Sequence, residues 1–329
     1  MLSTLWEATH LYTPNQSGTL MRKTKFLVRA VAQWPYSHRW FRFLSEQPEL
    51  AAVLPLQPQW LHKLQRPYMR QGLSAGSKLR LLRQHFALFL TRLPQPLRQQ
   101  LLTEQAQTMA RFTGKSGAGY RIDLSLTHTM DKEGELMLTL REESGDGPLV
   151  TLAFSFGLDS GGSRRILLGC LQGPRGEGGR ERFRTVTKDL HGLLPKALMV
   201  KALAALARQM HIATILAVSK HGHVHNSPLR RYSAIQSDYD ALWESLGGIP
   251  EGKHYFRLDS HMPVRDLAEV PSNKRAQYQR RQAVEASIEE QFAQFWAQPA
   301  AKTADKPVES AKVLRFVPRQ APDAHATVA

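Results

Sequence analysis

Three histidines, His221, His223 and His225, alternate with Gly222 and Val224 directly after the apolar run Ile212–Ser219. In an extended chain, residues at i, i+2 and i+4 share one face, so three imidazoles placed this way could converge on one metal ion. The carboxyl end of a sheet strand is also where α/β folds hold ligands. No carboxylate or thiolate stands nearby in sequence to complete a shell, and Gly222 disfavours a rigid strand. The expectation is therefore no metal centre, with the middle ring, His223, as a candidate acid–base group. Cys170 is the only cysteine, which excludes an internal disulfide and any multi-thiolate zinc or iron–sulfur site. It falls inside the apolar run Arg165–Gln172 and reads as a small buried hydrophobe. Gly114-Lys115-Ser116 has the end of a phosphate loop, but Met109 stands where the required glycine belongs and no strand is expected before it. Arg230-Arg231 beside Tyr232, and the cluster Lys274–Arg281 around Tyr278, suit phosphate, and a solvated basic face explains them as well.

The elements that would position these groups follow from hydrophobic period. Residues 22–110 read as helices broken by prolines. Within them Leu79, Leu82, Phe86, Phe89 and Leu93 recur at spacings of three and four, the stripe of an amphipathic helix that Pro94 and Pro96 end. Upstream, Trp34, Tyr36, Trp40, Phe41 and Phe43 interleave with His38, Arg39 and Arg42, a mixture that suits a bilayer interface, stacked bases or simple packing. After Gly119 the period becomes two. Tyr120–Thr127, Glu135–Glu143 and Leu149–Gly157 alternate between turn residues, and Arg165–Gln172 is apolar on both faces, so an antiparallel meander with a central fourth strand is expected. A helix at Pro195–Met210, a strand at Ile212–Ser219, a helix at Asp238–Leu246, a strand at Tyr255–Leu258 and a basic helix at Pro271–Trp296 complete the pattern. The fold expected is α+β with α/β rhythm: a mixed, largely antiparallel central sheet with flanking helices, preceded by a basic helical region. The divisions are a leader at 1–21, a basic helical region at 22–118 packed on the core, the mixed-sheet core at 119–260, a basic helix at 261–297 and a disordered tail at 298–329.

The chain has 329 residues, 42% of them hydrophobic and 22% charged, enough for one large or two ordinary domains. Residues 1–21 carry no Lys or Arg to form the basic start of a signal peptide, and no run reaches the ~18 to 20 apolar residues of a membrane span. The expected location is the cytoplasm. The net charge is +16, and residues 1–118, with 16 basic and 4 acidic side chains, hold +12 of it. Such asymmetry points to a polyanionic neighbour: an anionic membrane surface, or less readily nucleic acid.

The motifs KLQRPY (63–68), LQGP (171–174), TKDLHG (187–192), AVS (217–219), DYDALWESLGG (238–248) and PSNKRAQYQRR (271–281) resemble the VirK/YbjX family of Gram-negative bacteria, over about residues 22 to 290. That family is defined by a domain of unknown function. The resemblance implies an association with virulence, with envelope or lipid A phenotypes and with survival of cationic antimicrobial peptides, and it implies no assigned reaction. The order of elements is also similar to the GNAT-type N-acetyltransferase fold. That likeness implies an acyl donor such as acyl-CoA, with the loop after the fourth strand cradling its pyrophosphate. The corresponding residues are Gln172, Gly173, Arg175 and Arg180, although Pro174 removes one backbone donor. In that fold a tyrosine near the end of the last helix protonates the leaving thiolate. Here Trp243 holds that place, and Tyr239, one turn earlier, is the substitute. Asp189, His191 and Asp238 are candidate bases beside His223, and Asp238 is carried with His223 and Tyr239 as the catalytic set. The reading is a cytoplasmic envelope-linked protein of acyltransferase type at the inner-membrane face. The alternative is a non-enzymatic basic accessory protein that binds an anionic membrane surface or nucleic acid.

Overall fold

The computed structural model describes residues 19–103, 105–127, 129–145, 147–174, 176, 178–226 and 238–297. The first 85 or so of these build the basic helical region: α1 (Thr19–Ala32), α2 (Trp34–Glu46), α3 (Pro48–Val53), a 3-10 segment at Pro58–Gln65, α4 (Ala75–Arg92) and α5 (Gln95–Leu102). Proline stands in the first turn of α2, α3, the 3-10 segment and α5, where the missing N–H costs no helical bond. Ser74 caps α4 by accepting the Ser77 N–H, and the stripe Leu79, Leu82, Phe86, Phe89 is buried. Trp40 and Phe41 are buried too, and Trp40 Nε1 donates to Trp60 O at 2.8 Å, so these rings pack the interior and face neither lipid nor bases.

Eight strands form one sheet in the order β1-β2-β3-β4-β5-β6-β8-β7. They are β1 (Gln107–Thr113), β2 (Gly119–Leu126), β3 (Leu136–Glu142), β4 (Val150–Leu158), β5 (Arg164–Gln172), β6 (Thr214–Val218), β7 (Ile249–Glu251) and β8 (Tyr255–Asp259). Every pairing is antiparallel except β5 with β6, so the fold is the mixed, largely antiparallel α+β sheet expected from the pattern. Val150 to Gly157 of β4 are all buried, which means both faces are covered. β4 runs past the end of β3, and the N–H groups left over are taken by α4. Phe156 N donates to His85 Nδ1 and Leu158 N to Gln84 Oε1, each at 3.1 Å. Burial holds the His85 ring neutral, its pKa lowered to about 3.

Between β5 and β6 lie α6 (Gly179–Asp189) and α7 (Pro195–Gln209); α8 (Tyr239–Ser245) precedes β7, and α9 (Ser272–Ala297) closes the described chain. Lys201–Glu285 at 2.6 Å and Arg208–Glu289 at 2.7 Å tie α7 to α9. Further along α9, the Gln291 amide pairs with the backbone of Arg111 on edge strand β1, accepting from its N–H (2.9 Å) and donating to its O (2.8 Å).

The sheet starts at Gln107 and not at Gly119. A register shift between Thr108 and Ala110 buries Met109 and Ala110 in succession and erases the alternation that marks a strand. α6 also goes beyond the sequence pattern, because its only fully buried members are Gly179 and Val186. The tail expected from 298 onward, residues 1–18 of the leader, and Arg230, Arg231 and Tyr232 lie outside the described residues, and residues 19–21, expected in the leader, begin α1.

A buried ion pair joins the helical region to the turn that leads into β3. Lys63 Nζ sits 2.9 Å from Glu135 Oε1, and both side chains are almost wholly buried. Lys63 also donates to Asp131 O at 2.6 Å and lies over the Tyr68 ring, whose hydroxyl meets Ser155 Oγ at 3.0 Å. Lys63→Met strands a buried carboxylate and is expected to cost ~3–5 kcal/mol in urea denaturation. Lys63→Met combined with Glu135→Leu is expected to recover most of that loss. A single variant as stable as the parent contradicts this account.

Candidate functional site

The site begins with a gap in the sheet. β5 pairs with β4 as far as Gln172, but with β6 only as far as Leu168 opposite Ala217. Past that point the backbone of Leu171 would face an apolar interior unpaired. Tyr239 supplies both missing bonds: its hydroxyl accepts the Leu171 N–H at 3.3 Å and donates to Leu171 O at 3.0 Å. Trp243, one turn later, stacks on Tyr239 and donates its indole N–H to Val218 O, at the end of β6, at 2.9 Å. The first turn of α8 is therefore a wedge between two diverging strands. Burial above all pushes the Tyr239 pKa far up, and the neighbouring Cys170 adds to it. Asp238 is exposed and caps α8 by accepting the Ala241 N–H.

A second feature lies beside the wedge. Gly169 is the residue passed over by the β4–β5 bulge, and a Cβ there would stand 1.9 Å from Glu133 O, so glycine lets the 129–135 turn lie flat on β5. That contact sets Glu133 beside Cys170. The segment 219–226 brings the histidines over the same place, as turns and a single bridge from His223 to Arg70, with no extended strand. The three rings consequently diverge. His221 is exposed and stacks on His254, while His225 Nε2 meets Glu133 Oε1 at 2.8 Å and His223 stacks on Tyr239. One ligand-type atom from each of Glu133, Cys170 and His223 lies within 4.8 Å of the other two. Burial lowers the His223 pKa to about 4, so the ring is neutral. Burial raises the Glu133 pKa, but the hydrogen bond from His225 outweighs it and the net shift is downward, so that group is ionised.

The third feature is a surface cleft of about 810 Å³ at the carboxyl end of β5, between residues 172–174, the length of α6 and the start of α7. Gln172, Gly173 and Arg180 line it, together with Arg184, Lys188 and Lys196, and Phe183 and Leu194 form an apolar wall. Arg175 lies outside the described residues. Arg180 and Lys188 meet no carboxylate among the described residues, and Arg184 has only the exposed Glu181 at 3.1 Å. Lys196 is largely desolvated, which lowers its pKa, and the neighbouring Cys170 offsets part of that.

The structure thus places Gln172, Gly173 and Arg180 around one cleft, and Tyr239 and His223 together in the interior beside it. The other candidate bases hold structure. Asp189 accepts the Ser116 N–H at 2.6 Å and the Tyr120 hydroxyl at 2.7 Å, and His191 O takes Gln277 and Arg281 from α9. Glu133 and Lys196 had no signal in the sequence, since neither stands near the residues it serves.

A family model described as a protein of unknown function, DUF535, matches residues 15–294, and the chain belongs to that family. It is similar to the uncharacterized protein YbjX of Escherichia coli strain K12, 32% identical over 273 residues that cover 82% of each chain. It is also similar to the membrane protein LapB of Mannheimia haemolytica, 26% identical over 217 residues, 65% of this chain and 90% of that one. The resemblance to the VirK/YbjX family read from the motifs is met by these matches. Among solved structures, a cAMP-binding acyltransferase from Mycobacterium smegmatis aligns over 65% of each chain at 11% identity with a TM-score of 0.29, which decides neither ligand nor reaction.

Tyr239→Phe tests the wedge. Losing the hydroxyl leaves the Leu171 N–H and O unpaired in the interior, with an expected cost of ~1–3 kcal/mol in denaturant unfolding and no change in the far-ultraviolet circular dichroism spectrum. Unchanged stability would mean that water or a shifted backbone satisfies Leu171.

Proposed function

We propose that the protein binds a phosphate-bearing acyl donor in the cleft at the end of β5 and acts as an acyltransferase-type protein at the inner-membrane face. The observation that carries this reading is the clustering of Arg180, Arg184, Lys188 and Lys196 around one apolar-walled cleft along α6, an arrangement suited to phosphate at one end and an acyl chain at the other. The acyl-transfer chemistry itself rests on the likeness in element order. Among the described lining residues there is no carboxylate and no imidazole, and this favours a second reading, a non-enzymatic accessory protein that holds an anionic ligand.

Thermal-shift titration with coenzyme A, short- and long-chain acyl-CoA and inorganic phosphate separates the two, because a ligand that binds only the folded state raises Tm. Acyl-CoA is expected to stabilise the parent, and Arg180→Ala with Lys188→Ala to weaken binding at least tenfold. Stabilisation without thioester turnover supports the accessory reading, and indifference to every probe overturns the donor site.

Membrane association has its own support in α1. Among the described residues no helix is long and apolar enough to cross a bilayer. Yet α1 exposes Met21, Val28 and Val31, each about 60% accessible, alongside Lys25 and Arg29. Positions 21, 28 and 31 fall on one side of a helix, so the apolar side chains can enter the lipid interface while the cations meet its headgroups. Vesicles containing phosphatidylglycerol are expected to bind the protein and to release it at high salt, with Val28→Asp/Val31→Asp reducing binding several-fold. Preference for duplex or single-stranded DNA at matched phosphate would exclude the membrane reading.

A further inference from the structure

The geometry points to a buried binding site for a divalent transition-metal ion of the zinc class, with Glu133, Cys170 and His223 as its ligands. The three come from separate parts of the chain: the turn before β3, the middle of β5, and the segment after β6. Each is at most 4% exposed, and their ligand atoms lie within 4.8 Å of one another. Tetrahedral bonds of about 2.0–2.3 Å put neighbouring ligand atoms roughly 3.3–3.8 Å apart, so a cation would draw the group in by about an ångström.

A second observation points the same way. His223 Nδ1 accepts the His225 N–H at 3.2 Å, which leaves the ring proton on Nε2, and Nε2 is fully buried without a hydrogen-bond partner. A buried polar atom with no partner calls for an explanation, and a metal ion supplies one. On binding through Nε2 the ring proton passes to Nδ1, so the hydrogen bond from the His225 N–H is given up and that N–H has to turn away from the ring, in exchange for a metal bond. The Cys170 thiol gives its proton to solvent and binds as thiolate. Charge then balances, since a dication with one thiolate and one carboxylate is neutral overall, which suits an interior that cannot solvate a net charge. His225, held at 2.8 Å from Glu133 Oε1, fixes that carboxylate from outside the ligand set, and the Tyr239 hydroxyl stands 3.6 Å from Cys170 Sγ. A thiolate, an imidazole and one carboxylate suit zinc or cobalt and not magnesium or calcium. The site does not depend on the acyl-donor reading.

The test uses the full chain, stripped with chelator under a non-thiol reductant and titrated with Co²⁺. One equivalent is expected to give a near-ultraviolet thiolate-to-cobalt band and the visible bands of tetrahedral cobalt, and Zn²⁺ is expected to displace it and raise Tm. Cys170→Ser should abolish the thiolate band, and His223→Ala should weaken binding at least tenfold. His225→Ala should weaken it less and keep the band. Cys170→Ala, which only shortens a small core side chain, serves as the folded control. Absence of the band in the folded parent overturns the site. So does an equal Zn²⁺ stabilisation of parent and Cys170→Ala, which would place the metal on surface imidazoles such as His221 and His254.

Discussion

The pairing of Lys63 with Glu135 in the interior constrains everything built around it. Two charges removed from water cost several kcal/mol each before their attraction is counted, so the surrounding chain has to hold them in register. The segment after Lys63 does this as a strap. Met69 N donates to Lys132 O at 2.7 Å, Gln71 N donates to Gly222 O at 3.0 Å, and Arg70 bridges to His223. Met69 is fully buried in the left-handed region, at φ 59°, a conformation that costs a non-glycine residue roughly 1–2 kcal/mol and persists because both sides of the strap are fixed. The strap lies between the turn that carries Glu133 and the segment that carries His223, so the buried pair sets the distance between them.

Much of the architecture was legible because its elements are long and periodic. The stripe on α4, the alternation of β2 and β3, the unbroken apolar run of β5 and the proline at the start of α7 all fall where hydrophobic period puts them, within a residue or two. What failed to show had a physical reason. β1 breaks its own alternation with a bulge, and α6 buries too little to leave a stripe. The histidine triplet looked like one face of a strand, but Gly222, packed against the backbone of His254, turns the chain so that His221 leaves the group. Of the candidate site residues, Gln172, Gly173 and Arg180 were readable from a glycine-rich loop. Glu133 was not, because its place depends on an absent side chain at Gly169.

The basic excess also divides into two populations. Lys63 and Arg98 are committed to carboxylates inside the fold, and Lys78 donates to the carbonyls of Leu64 and Arg66. Among the described residues, Arg180 and Lys188 at the β5 cleft and Lys25 on α1 meet no carboxylate, so the charge available to a partner is smaller and more localised than the total suggests. Several family motifs sort the same way: KLQRPY, TKDLHG and PSNKRAQYQRR largely interlock parts of the fold, while LQGP ends at the cleft.

The Gln291 amide on edge strand β1 bears on how the chain is made. Synthesis runs from the amino terminus, so all eight strands leave the ribosome before the glutamine that covers the outer edge of the first one. Throughout that interval Arg111 presents a free N–H and C=O to any neighbouring nascent chain, a template for intermolecular pairing. The cover that α9 gives this edge thus arrives late, and slow translation through the 259–290 stretch would lengthen the period in which aggregation competes with folding.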